Sequence, residues 1–326
     1  MQKAYYYPSA SRFGYSNPYS QHFKKNLSSL YYVCDSKNKP SRMLTLSFLK
    51  YSLIADIFFI NWLESAPFLR FGKIQFFLAI SALFIIKVRK KKIIWMLHNI
   101  HPHSGKSRMS DCIQRKLFRD SALVISHSRE AWEFAKEHTK GKCLFFHHPV
   151  LANNLDIITN EIRKYDVLIW GSIFPYKGIY EFLSNKIVKQ SRMKILIIGT
   201  CSDEKLIEKI ESCCSEGIVF ENRRADFDEI FQLVKSSRFV LFPYVGNCVS
   251  SSGALMDTLV LGGNPIGPNV GAFDDLKKLG LCLTYKDYDD LMVLLHSNWE
   301  PPLEAKNEFF KENSWEKFVN NLYENI

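Results

Sequence analysis

The chain has no CxxC pair, no low-complexity tract, no repeat of short period, and no apolar run reaching the roughly 20 residues of a membrane-spanning helix. Its eight cysteines are scattered at 34, 112, 143, 201, 213, 214, 248 and 282. That spacing excludes a disulfide framework and a paired-cysteine zinc site, and points to reduced thiols in the cytosol. The most apolar stretch, IQFFLAISALFII from Ile74 to Ile86, stops short of a span. Because the N-terminus MQKAYYYPSASRFGYSNPYS is polar and aromatic rather than basic and then apolar, no secretory signal is expected. The missing repeats exclude solenoids.

Acidic residues are the minority: 33 stand against 43 Lys and Arg, a formal charge of +10. Such a balance favours anionic partners, namely phosphorylated small molecules, lipid headgroups or nucleic acid. The basic residues form no long stripe interleaved with aromatics, which argues against nucleic acid. The one dense group, KVRKKK, brings Lys87, Arg89, Lys90, Lys91 and Lys92 directly behind the apolar stretch. It reads equally as a solvated helix end or as a contact with an anionic bilayer surface.

What is present is a chain of 326 residues, 47% hydrophobic, long enough for two domains of about 150 residues. Short apolar runs alternate with helical stretches. They are SSLYYVCD, ADIFFINWL, KIIWMLHN, ALVISHS and CLFFHHPV in the first half, then YDVLIWGS, KILIIGT, GIVFEN and RFVLFPY in the second. Continuous apolar strands between helices indicate parallel sheets covered on both faces, so the expectation is a doubly wound α/β fold built twice. The expected domains are residues 1–153 and 164–304, joined by the polar LANNLDIITNEIRK. Residues 305–326 form a closing segment in which Ser314 precedes Trp315, Phe318 and Leu322 on one helical face. Two such domains would face each other across a cleft.

The most informative block is FPYVGNCVSSSGALMDTLVLGGNPIGPNVGAFDDL, Phe242 to Leu276. It reads as a strand end, a Ser/Gly turn, a helix and a Gly/Pro/Asn-rich stretch of loops. Helix N-termini present unpaired N–H groups and positive dipole ends, which suit a diphosphate. Ser250, Ser251 and Ser252 are positioned to cap that helix, and Gly253 lets an anion approach the backbone. In GSIFPYKGIYEFL, Gly171 ends a strand and Lys177 with Gly178 opens a helix, placing an ammonium within reach of phosphate. Each element alone also fits an ordinary capped helix. Phe174, Tyr176, Asn222 and Tyr244 are either pocket walls or packing.

Histidine supplies the other candidates. His98 ends the run IIWMLH, where imidazole could relay a proton or hold a hydroxyl. With His101 and His103 it has i, i+3, i+5 spacing, which reads as metal ligands, as packing, or as a substrate site in which Asn99 also takes part. His127, His147 and His148 read as strand-end histidines satisfied by the backbone.

NPYSQHF, ADIFFINWLE, IIWMLHNIHPH, ALVISHSREAW, GSIFPYKGIYEFL, FVLFPY with SSGALMDTLVLGGNPIG, and GAFDDL, in this order and spacing, resemble the GT-B glycosyltransferases, close to family 4. The resemblance runs over most of the chain. It implies a second domain holding a nucleotide sugar, UDP- or GDP-linked, with Gly171, Ser172 and Lys177 in the turn on the diphosphate. Ser172 stands where an arginine is usual, and Arg223 or Arg224 would supply the missing charge. Of the family's two glutamates, Val249 stands at the first position and Asp257 at the second. Ser251, Ser252 and Gly253 would contact the diphosphate, and Asp274 would face the donor.

The implied chemistry is hexosyl transfer to a glycan or lipid-linked acceptor, retaining and without metal or other cofactor; were it inverting, His98 would be the base. No DxD pair stands in a loop suited to a metal, and Asp274–Asp275 and Asp289–Asp290 read as solvated pairs. Asn99, His101 and His103 would lie on the acceptor side. The apolar and basic segment from Ile74 to Lys92 suits a cytoplasmic enzyme of polysaccharide or glycolipid assembly, peripheral on the inner membrane face. A protein that binds nucleotide sugars without transferring them is the alternative.

Overall fold

In a computed structural model, residues 1–9, 17–34, 42–100, 107–151, 163–246 and 252–326 are described. The chain divides into two units, Met1–Pro149 with Asn313–Ile326, and Val150–Glu312.

In the first unit the strands β1 (Lys3–Tyr7), β2 (Tyr32–Cys34), β3 (Ile57–Asn61), β4 (Lys92–Leu97), β5 (Leu123–Ser126) and β6 (Lys142–Phe145) lie in the order β2-β1-β3-β4-β5-β6. All neighbours are parallel. The connecting helices are α1 (Pro18–Leu27), α2 (Leu44–Ser52), α3 (Gly72–Val88), α4 (Arg108–Asp120) and α5 (Arg129–His138), with a 3-10 turn at Leu63–Phe68. Strand alternation feeds two cores. Tyr5, Tyr7, Phe58, Ile60 and Trp95 face α2 to α5, whereas Ala4, Tyr6, Phe59, Ile94 and Met96 face α1. Burying each such large side chain contributes roughly 1.5–3 kcal/mol. β1 is the strand the sequence hid: KAYYY reads as polar, yet its three tyrosines are buried.

In the second unit β7 (Tyr165–Trp170), β8 (Ile195–Ile198), β9 (Ile218–Glu221), β10 (Ser237–Leu241), β11 (Pro265–Pro268) and β12 (Leu283–Tyr285) take the order β12-β11-β10-β7-β8-β9, all parallel. Its helices are α6 (Ile179–Ser184), α7 (Lys186–Gln190), α8 (Glu204–Glu211), α9 (Phe227–Lys235), α10 (Gly253–Val260), α11 (Gly271–Lys278), α12 (Tyr288–Leu295) and α13 (Leu303–Glu312). The strand order reverses between β7 and β10. A parallel sheet binds ligands at that point, outside the carboxyl ends of its strands. The segment PIGP, expected as loop, is β11; Gly267 is required there because a Cβ would meet the Phe273 ring at 2.2 Å.

The closing segment splits. α13 stays with the second unit, where Phe309 enters the core. Only the last helix, α14 (Trp315–Glu324), returns to the first unit. Ser314 caps it through Lys317 N at 3.2 Å, and Trp315, Phe318, Val319 and Leu322 complete the cluster of Tyr6, Tyr19, Phe23 and Phe59. The expected doubly wound α/β architecture is present in both units.

Candidate functional site

At the switch point of the second unit, the loop after β7 and the loop after β10 are stitched together. Val245 N donates to Tyr176 O at 3.0 Å. The approach is close enough that a Cβ on Gly178 would lie 2.0 Å from Pro243 O, and Gly178 itself has φ +65. The lysine-glycine pair therefore has a backbone reason: glycine alone fits both the left-handed conformation and the contact. Lys177, one residue earlier, sends Nζ to the Tyr244 hydroxyl at 2.5 Å. That hydroxyl is 3.2 Å from Ser252 Oγ, which also caps α10 through Leu255 N at 3.4 Å.

Lysine, tyrosine and capping serine thus form one polar chain ending at the open N-terminus of α10, where Gly253 is exposed. An ammonium, a hydroxyl and a positive dipole end converge, an arrangement suited to an anion with several oxygens. Farther along α10 the Asp257 carboxyl meets no hydrogen-bond donor among the described residues, and burial pushes its pKa up to about 6. Tyr244 also walls a cavity of about 530 Å³ with Pro243, Val245, Asn269, Tyr285 and Tyr288.

The other expected donor residues are placed as follows. Gly171, at φ +103, ends β7 with open space where a Cβ would be, and Ser172 is exposed beside it. Ser251 lies outside the described residues, as do Val249 and Ser250. Arg223 does not stand free to replace the missing arginine. Its guanidinium is taken by Glu229 and Glu221, with Nη1 2.9 Å from Glu229 Oε2 and Nε 2.8 Å from Glu221 Oε2. Those carboxylates hold it even more firmly protonated than usual. Arg224 is exposed on the same loop. Asp274, at the start of α11, pairs with Lys278 at 2.7 Å and is not among the residues lining the cavity. Asn222 serves packing: it bridges two loops through Cys201 N at 2.8 Å. Two DxD spacings do occur, at Asp226–Asp228 and Asp287–Asp289, but Asp226 and Asp287 are helix caps, accepting from Glu229 N and Asp290 N.

In the first unit His98 follows β4 and is buried. Its Nε2 is 2.8 Å from Asn61 Oδ1, and Asn61 Nδ2 donates to Tyr7 O at 3.3 Å. With the amide nitrogen so engaged, Asn61 presents oxygen to the ring, so Nε2–H is the donor. Trp62 stacks on His98 with centroids 4.3 Å apart; its own backbone is left-handed at φ 52. A tryptophan held there is locally strained, and its place beside a candidate site is where such strain collects. Tyr19 packs edge-on at 4.9 Å.

Three further histidines, His127, His147 and His148, are held neutral by burial. His127 Nδ1 donates to Phe146 O and Nε2 accepts from the Tyr19 hydroxyl, both at 2.7 Å, while burial lowers its pKa to about 3. Burial likewise lowers His147 and His148 to about 4. Asn99 is buried next to His98; His101 and His103 lie outside the described residues. Sequence reasoning passed over Asn61 and Trp62, although a polar residue ending the apolar run IFFIN was the available signal.

No protein-family model matches the chain, and no curated protein is detectably similar in sequence. Solved structures match it in fold. The complex of Anabaena Alr3699/HepE with UDP-glucose aligns over 100% of both chains with a TM-score of 0.70 at 10% identity. The fold is GT-B. Sucrose-phosphate synthase from Thermosynechococcus elongatus follows with a TM-score of 0.66 at 11% identity, covering 99% of this chain and 98% of its own. The trehalose-6-phosphate synthase OtsA gives 0.64 at 11% identity, over 99% of each.

Proposed function

We propose that this GT-B chain is a hexosyltransferase of family 4 type, moving a sugar from UDP or GDP to a glycan or lipid-linked acceptor at the inner membrane face. The observation that carries this reading is the Lys177–Tyr244–Ser252 chain at the β7/β10 switch point. Structural likeness to a protein solved with UDP-glucose supports the donor class.

Transfer builds negative charge on the departing diphosphate, so the protein's main task is to stabilise that charge. Lys177 Nζ supplies a cation, the Tyr244 hydroxyl orients it, and the N–H groups opening α10 supply the dipole. Asp257, in its ionised form, accepts hydrogen bonds from donor hydroxyls. His98 serves the acceptor side, where its fixed ring holds a hydroxyl or takes its proton. Retention and metal independence belong to the same reading.

A nucleotide-sugar-binding protein without transferase activity is the second reading, favoured by Ser172 in place of arginine and by the commitment of Arg223 to glutamates. Thermal stabilisation by a panel of nucleotide sugars, followed by measurement of nucleotide release with acceptor present, separates the two. Lys177→Ala is expected to weaken donor binding roughly tenfold or more. Unchanged affinity in that variant would remove the cradle from the site.

A further inference from the structure

The outer face of α2 and α3 in the first unit is exposed among the described residues. Both helices turn their inner sides to the same core, α2 through Phe48 and α3 through Ala79, Ala82, Leu83 and Ile86. Their outer sides are apolar. On α3 an exposed stripe runs through Ile74, Phe77, Phe84 and Val88, spaced at helical intervals; Phe77 is 67% exposed, Phe84 61% and Val88 63%. Leu46, Leu53 and Ile54 are exposed on and just after α2. Isolated exposed apolar residues need no explanation, but a stripe along one helix, with further exposed apolar residues on the helix beside it, marks an interaction site.

Charge identifies the occupant. α2 and α3 contain Lys50, Lys73 and Lys87 and no acidic residue. Arg42, Lys50, Arg70, Lys73 and Lys90 form no ion pair among the described residues. The KVRKKK run contributes less than its sequence suggests. Lys87 binds Asp120 at 2.8 Å, Lys91 binds Asp56 at 2.9 Å, Arg89 closes α2 by donating to Ser52 O and Ala55 O, and Lys92 reaches Ile326 O. The field comes instead from the scattered rim around the stripe, together with the surplus at Asp120, where Lys87, Lys116 and Arg119 share one carboxylate. A second copy of the same face would meet like charge, and among the described residues no helix is long and apolar enough to cross a membrane. An apolar stripe inside a cationic rim matches an anionic lipid surface, into which such a helix lies flat.

We infer that the α2–α3 face docks on a bilayer carrying anionic headgroups, with α3 lying along the membrane plane. The surface rests on, and deepens, the proposed placement of the enzyme beside a lipid-linked acceptor. Because α3 carries the chain from the carboxyl end of β3 back to the amino end of β4, its first turns share the sheet edge that bears Asn61 and His98. Docking therefore sets Phe71, Ile74 and Phe77 against lipid at the edge where the acceptor is handled.

Cosedimentation of the full chain with phosphatidylcholine vesicles, with and without phosphatidylglycerol, tests this. The wild type is expected to pellet with the phosphatidylglycerol vesicles and to be released by high salt. Phe77→Glu with Phe84→Glu, and separately Lys50→Glu with Lys73→Glu, should each lower the bound fraction by roughly tenfold. Ile74→Ser with Val88→Ser serves as the milder pair if glutamate lowers the melting temperature. Equal pelleting of the wild type and these variants overturns the proposal, as does failure of the wild type to pellet. So does a concentration-dependent wild-type dimer that Phe77→Glu with Phe84→Glu abolishes, which would make a second copy the occupant. Nucleotide-sugar binding without vesicles should be the same in every variant. Its absence from all of them sinks the transferase reading and leaves the vesicle result standing.

Discussion

The two candidate regions are built on opposite principles. The cradle of the second unit is assembled from backbone approach: two loops meet because Gly178 has no Cβ, and their side chains form a short polar chain open to a ligand. The His98 box of the first unit is closed by rings, with Trp62 on one face, Tyr19 at the edge and Asn61 fixing one nitrogen. An anion with several oxygens and freely rotating linkages is met by groups that leave room for it. A single proton acceptor is met by a side chain allowed only one orientation, which is what directed proton transfer needs.

The sharpest way to break that contrast is Gly178→Ala. A methyl at φ +65 and 2.0 Å from Pro243 O must part the two loops. A loss of about 2–4 kcal/mol in stability is expected, with donor stabilisation abolished. Urea unfolding checks the first and thermal shift with nucleotide sugars the second; a variant that still binds its donor would show that loop approach does not build the cradle.

Asp257 gives a smaller and pH-dependent effect. Burial raises its folded-state pKa to about 6, above the ordinary carboxyl value of 3.8. The folded chain therefore holds that proton more tightly than the unfolded one, and stability falls as pH rises from about 4 to 6. Donor hydroxyls need the ionised form, so affinity should rise through the same window. Asp257→Asn is expected to melt a few degrees higher at pH 7 while its donor affinity is lower and no longer follows pH. A variant whose binding tracks pH as the wild type does would exclude this carboxyl.

The mildest probe lies in the histidine box. Tyr19→Phe removes the hydroxyl that donates to His127 Nε2 and leaves a buried acceptor unsatisfied, at about 1 kcal/mol. The ring remains, so His98 should keep its orientation and turnover should change little. A large drop in turnover at unchanged stability would mean that the box acts through the hydroxyl and not through packing.

Much of the fold was legible because strands buried on both faces are written as continuous apolar runs, and nine of them stood out. Two of the three strands that escaped did so for particular reasons. β1 uses tyrosine where isoleucine is usual, and β11 carries glycine because Phe273 already fills the space that a Cβ on Gly267 would take. At the site, Lys177, Ser252 and Gly253 were marked by local turn chemistry. Tyr244 was noticed only as a pocket wall or packing, since its bond to Lys177 spans 67 residues of sequence that no local pattern connects. The pairing of Arg223 with two glutamates was not legible, because Glu221 and Glu229 come together around it only where β9 turns into α9.

The return of α14 also sets an order of events during synthesis. Trp315, Phe318 and Leu322 cover an aromatic cluster whose other members, Tyr6, Tyr19, Phe23 and Phe59, leave the ribosome long before them. The whole second unit, Val150–Glu312, is translated in between. It can therefore close its own sheet while the earlier half still shows an unroofed greasy face, and that nascent half is the one that needs a chaperone.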